Sequence, residues 1–174
     1  MKLYPDYVEV ESELEIDQYI PVKVLFSEKR SNAQDLVYYV IRDNRSSYIE
    51  FKLNPYMRKI HSIIVVSADD FERKSISYSC EKVVANPLVV FDKDEELTQI
   101  TKNKICTYVS RDTVTFSWSD DEVWKIISTK YVDFLLDAEN NFIGFQVFGI
   151  SDYDQKVLED YFEFCKKTRE TMLI

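Results

Sequence analysis

Glycine is almost missing from this chain, with two in 174 residues. Phosphate-cradling loops need several glycines to bring backbone close to the ligand, so that class of nucleotide site is excluded. A flexible Gly-rich linker is excluded for the same reason. Histidine occurs once, as His61. A Ser-His-Asp or Cys-His site would need it as base, yet it falls inside the strand-like run Ile60-His61-Ser62-Ile63, with no nucleophile elbow nearby. Cys80, Cys106 and Cys165 are widely spaced and form no CxxC, so with one histidine they offer no zinc-ligand pair.

Also missing is any apolar run approaching the roughly 20 residues that span a bilayer. Met1-Lys2-Leu3-Tyr4-Pro5-Asp6 has no apolar core and does not read as a secretory signal. Three unpaired thiols then suit a reducing, cytoplasmic setting. Positive charge is scarce as well: 22 basic against 31 acidic residues, a net charge of -9. Nucleic acid and anionic membrane surfaces both demand a net basic face, so neither is expected as a partner. The one basic cluster, Lys166, Lys167 and Arg169, sits where a helix should end, and the helix dipole accounts for it.

What is present is a chain able to bury a core, with 45% hydrophobic residues. Its length suits a single domain over 1–174. The sharpest pattern lies near the N-terminus. Glu9, Glu11, Glu13, Glu15 and Asp17 occupy successive odd positions, while Val8, Val10, Leu14 and Ile16 occupy even ones and Ser12 alone breaks the apolar series. Period two predicts a β-strand with one apolar and one carboxylate face. Neighbouring charges about 6.8 Å apart repel by about 0.6 kcal/mol in water before screening, which a fold tolerates but does not require.

Further strands are predicted at Val22–Phe26, Leu36–Ile41 and Leu88–Phe91, with a loop over Ser27–Gln34 and an acidic turn over Asp92–Glu96. Hairpins are expected about Ser110-Arg111-Asp112 and about Asp137–Asn141. A helix is expected from about Ser151 to Thr168, with Val157, Leu158, Tyr161, Phe162, Phe164, Cys165 and Thr168 as its apolar stripe. The fold class is therefore α+β: mainly antiparallel sheet with a C-terminal helix packed on it.

Residues 35–71 and 112–154 also align. Tyr48–Asn54 matches Tyr131–Asp137, Ile60 matches Ile143, and each unit ends in a Ser-x-x-Asp helix start, the second after one extra residue that a bulge near Gly149 would absorb. Two explanations stand: a β-meander unit used twice, or two meanders sharing an alternation.

No catalytic residue, metal site or cofactor is indicated. The Asp137 turn lacks the glycine and distal glutamate of a calcium loop. The acidic strand reads either as an edge whose charges discourage self-pairing, or as an anionic strip for a cationic partner. Tyr7 and Tyr19 flank it, and tyrosine is enriched at interfaces.

In its small size, acidity, Tyr-rich strands and Glu9 to Asp17 face, the chain resembles cytosolic immunity proteins that neutralise polymorphic or contact-dependent bacterial toxins. That resemblance is one of type. It implies a stoichiometric inhibitor of a basic protein such as a nuclease toxin, binding through Glu9, Glu11, Glu13, Glu15 and Asp17 with Tyr7 and Tyr19. Two alternatives remain. One is a carboxylate-dependent hydrolase using Asp120, Asp121, Glu122, Asp133 or Asp137. The other is a structural subunit that homodimerises through an edge strand, as opposed to a monomer.

Overall fold

The computed structural model describes residues 1–27, 36–44, 47–68, 71–91, 99–102 and 104–172. In chain order the strands are β1 (Lys2–Asp6), β2 (Glu11–Glu15), β3 (Val22–Ser27), β4 (Val37–Asp43), β5 (Tyr48–Asn54), β6 (Lys59–Ser67), β7 (Phe71–Arg73) and β8 (Glu81–Val84). Then come β9 (Asn86–Val90), β10 (Gln99–Lys102), β11 (Cys106–Val109), β12 (Thr113–Ser117), β13 (Lys125–Ser128), β14 (Val132–Leu136), β15 (Phe142–Phe148) and the helix α1 (Asp152–Met172). The expected loop at 28–34 and the acidic turn at 92–96 lie outside the described residues.

The strands form two mostly antiparallel sheets that face each other. The first runs β1-β9-β6-β5-β4-β10, and β3, carrying β2 on its far side, joins β6 next to β9. This sheet therefore forks: β6 pairs with β9 at Lys59 and with β3 over Ser62–Val65. The second sheet runs β7-β11-β12-β15-β14-β13-β8. Among the described residues, only β10, β7 and β8 join their sheets by parallel pairing, and each is an edge strand.

Alternation explains the packing. In β5, Ile49, Phe51 and Leu53 are buried, while the residues between them are half-buried. Phe51 meets Phe142, Phe145 and Trp118 of the opposite sheet edge-on, at centroid distances of 5.4, 6.0 and 6.2 Å. Such contacts add about 0.5–1.5 kcal/mol each beyond their burial.

The β14 strand is buried at every position. Its outer face is covered by residues 74–80, an extended strap linking the two opposite edge strands β7 and β8. Ile76, Tyr78 and Cys80 turn toward the sheet, and Ser75, Ser77 and Ser79 face outward. Tyr78 and Cys80 pack on Ile126, Leu135 and Ile143.

The helix matches expectation at its start. Ser151 Oγ accepts from the Asp154 backbone N–H at 3.1 Å and donates to the Asp154 carboxylate at 2.7 Å, a reciprocal cap. Its buried face is narrower than the predicted stripe. Leu158 and Phe162 are buried, but Phe164 is 68% exposed. The helix docks over the sandwich through Phe162 against Phe71 (4.9 Å) and Arg73 against Glu159 (2.9 Å). No helix among the described residues is long and apolar enough to cross a membrane.

The aligned segments differ in their pairing, and two expectations are corrected. The segments that align as a repeat do form hairpins, β5–β6 and β14–β15, but β4 pairs with β5 whereas β12 pairs with β15. The helix start expected after Ser67 gives way to strand β7, because Phe71–Arg73 pairs with β11; residues 69–70 are outside the described set. The register shift lies between Leu135 and Leu136, not near Gly149. Gly149 instead takes a left-handed φ of 74° as the chain leaves β15.

Candidate functional site

The acidic strand is shorter than its sequence pattern. Ordered pairing covers Glu11–Glu15, with Ser12 opposite Phe26 and Glu15 opposite Lys23 on β3. Residues 7–10 lead into it without strand pairing. The two-faced alternation survives: Glu9, Glu11, Glu13, Glu15 and Asp17 are all exposed, Ser12 is buried, and Val10, Leu14 and Ile16 are half-buried.

Not all five acids share one environment. Lys23 Nζ lies 2.7 Å from Glu15 and partly neutralises it. Asp17 accepts from the Tyr19 backbone N–H at 2.7 Å, so both stand in the turn beyond β2. Tyr7, Glu9, Glu11 and Glu13, by contrast, line one open groove of about 760 Å³, formed by residues 7–13, 84–86 and 128–130. Its base lies at the corner where the chain leaves β8 for β9, held by Ala85 N–H donating to the Ser128 carbonyl at 3.1 Å. Asn86 donates to the Val8 carbonyl and so ties the 7–10 segment to that corner.

The groove's rim is apolar and its charge one-sided. Tyr7, Val8 and Val84 are 76%, 56% and 78% exposed. Against three carboxylates stands Lys130, whose ammonium sits 4.7 Å from the Tyr131 ring centre. Ser12 also lines the groove, and its hydroxyl is buried without a hydrogen-bond partner. Sequence reasoning missed Val84, Asn86 and Lys130, which carry no local signal. Ser12 did carry one, as the only polar residue on the strand's apolar side.

The carboxylates considered for hydrolysis are dispersed into structural tasks. Asp133 is buried and accepts from Ser128 Oγ at 2.6 Å and Lys82 Nζ at 2.7 Å. Asp137 closes the β14–β15 turn by accepting from the backbone of Glu139 and Asn141, each at 2.8 Å. Asp121 bonds Ser119 within its own loop. Asp120 lines a separate pocket of about 210 Å³ with Lys102 and Lys104, and Glu122 is exposed. Among the described residues no three His, Cys, Asp or Glu side chains stand together as a metal site. His61 lies half-buried on β6, and Cys80, Cys106 and Cys165 form no disulfide.

No protein-family model matches the chain, and no curated protein sequence matches it.

Proposed function

We propose that this protein is an acidic protein-binding module that acts as a stoichiometric inhibitor of a basic partner, of the kind represented by immunity proteins against nuclease toxins. The observation that supports this most is the concentration of exposed carboxylates on an edge strand beside an open, apolar-rimmed groove. Of the two burdens an interface must meet, long-range attraction and desolvated contact, the strip supplies the first and Tyr7, Val8 and Val84 the second. Like charges on β2 also oppose pairing of two copies through that edge, which favours a monomeric inhibitor over a homodimer. The dispersed carboxylates give no specific support to hydrolysis.

The test is binding of the product of the neighbouring gene, co-expressed and purified, with neutralisation of its activity as a second readout. The triple variant Glu9→Lys, Glu11→Lys, Glu13→Lys should weaken association at least tenfold at low salt and flatten its salt dependence. Unchanged affinity and unchanged salt dependence would remove the strip from the interface.

A further inference from the structure

Resting on the reading above, we infer that the protein partner docks by adding an extended strand of alternating basic and apolar residues to the free edge of β2, held there by main-chain hydrogen bonds. The groove's wall locates that edge, because its lining runs through every residue from Tyr7 to Glu13. Glu11 and Glu13 are exposed on one face of β2, while Ser12 between them is buried on the other. Successive strand residues point to opposite faces, so all three border one groove only along the strand's edge, through their backbone. The other edge of β2 is taken by β3, from Glu11 opposite Ser27 to Glu15 opposite Lys23. Among the described residues nothing pairs with β2 on the groove side.

An unpaired edge presents a row of N–H and C=O groups that template a further strand, the mode by which many domains capture extended peptides. Asn86 closes this edge at Val8 by donating to its carbonyl, so the usable bed starts at Glu9. Residues 9–13 offer roughly 17 Å of it at about 3.4 Å per residue. The facing wall, residues 84–86 and 128–130, leaves an open volume of about 760 Å³ for the added chain. Charge then selects the occupant. A second copy of β2 would set carboxylate against carboxylate, whereas lysine or arginine at alternate positions stands beside Glu11 and Glu13. The residues between them turn to the side of Val10 and Leu14, which are half-buried, and are therefore apolar.

A fluorescein-labelled peptide of alternating lysine and valine serves as probe, followed by anisotropy at low and at physiological ionic strength. Its counterpart, N-methylated at every peptide bond, keeps the charge and the side chains but has no main-chain donors. The parent peptide should bind, and the methylated one should bind at least tenfold more weakly at both ionic strengths. Amide hydrogen exchange followed by NMR supplies the second readout. Amides within residues 9–13 that exchange freely in the unbound protein should slow at least tenfold when the parent peptide saturates it. Glu11→Lys should weaken binding of the parent peptide and flatten its salt dependence.

Failure of the parent peptide to bind overturns the proposal, as does binding without added amide protection in residues 9–13. Equal binding of the methylated peptide also overturns it. If that peptide binds equally while Glu11→Lys weakens both, strand addition is wrong but the acidic strip stands; if Glu11→Lys is silent as well, both readings fall. A solution mass of two chains, with the same amides already protected in the unbound protein, would assign the edge to a second copy instead.

Discussion

Asp137 shows how one side chain sets both a turn and a pH dependence. Burial works to raise its carboxyl pKa, but hydrogen bonds from the Asn141 side chain and the Asn141 and Glu139 backbones, with the charge of Lys2, hold it below the usual carboxylate range. Asp6 is lowered too, chiefly by its hydrogen bond from Lys59, against a smaller effect of burial. A carboxyl lowered in the folded state contributes stability that is complete above the unfolded pKa and is lost as pH falls through the folded one. Denaturant midpoints should therefore hold from neutral pH to about 5 and drop below about 4. Asp137→Ala should lose about 1–2 kcal/mol at neutral pH and show a shallower acid decline. An unchanged acid limb would mean that Asp137 does not contribute to it. At the same scale the three orphan hydroxyls run the other way: Ser62→Ala should stabilise by up to about 1 kcal/mol, read from the same denaturation curves.

Among the elements, the strap over 74–80 decides how the second sheet is buried. Six inter-strand spacings of about 4.8 Å separate β7 from β8, roughly 29 Å across. An extended chain from Arg73 to Glu81 reaches about 28 Å at roughly 3.5 Å per residue, just under that span, so the strap has no slack and relies on the sheet's twist to bring its two edges closer. Tyr78 anchors it. Burial, with Tyr108 and Cys80 beside it, pushes the Tyr78 phenol up to about 12. An acid raised in the fold stabilises it fully below the unfolded pKa and loses that contribution as pH rises. Tyr78→Ala should cost about 2–3 kcal/mol, and the wild-type protein should weaken above about pH 10 through a tyrosinate that the variant lacks, followed by alkaline denaturation. Gly144 is the matching constraint inside β15: an added Cβ would stand 2.6 Å from the Phe116 carbonyl oxygen on β12, so Gly144→Ala should destabilise by about 2–3 kcal/mol.

Over the whole molecule, cohesion comes from places where the chain changes sheets. At Ala85 it passes from the second sheet to the first, and around Ile105 it returns. The buried Asp43 carboxylate accepts from the Ile105 backbone N–H at 3.1 Å and from the Ser47 N–H at 2.9 Å, clamping the crossing at Ile105 to the end of β4. At the other seam, Met1 and Leu3 bond across to Phe142 and Asn140. A single apolar cluster holds inward residues of both sheets together with Leu158 and Phe162. Removing a clamp should therefore weaken both sheets together. Asp43→Ala strands two buried donors and should cost on the order of 3 kcal/mol, with aromatic near-UV and far-UV circular dichroism lost in one coincident transition. Separate transitions would show that the sheets are held independently.

Local periodicity carried most of the secondary structure. The β2 alternation, the hairpins at Ser110–Thr113 and Asp137–Asn141 and the Ser151 cap were legible because each is set by residues within one turn or one strand. The run Ser75-Ile76-Ser77-Tyr78-Ser79-Cys80 has the same period of two, but alternation alone does not tell a strap lying across a sheet from a strand within it. Which strand of each apparent repeat sits beside which, the fork at β6 and the burial of both faces of β14 depend on contacts between distant segments. Periodicity orders the faces of an element but does not select its neighbour, since any strand of matching alternation can pair. The candidate site divides the same way. The acids and the irregular Ser12 are present in the string of residues. The groove exists only because Val84 and Lys130, remote in sequence, are folded against residues 7–13 by hydrophobic burial, which acts without regard to chain distance.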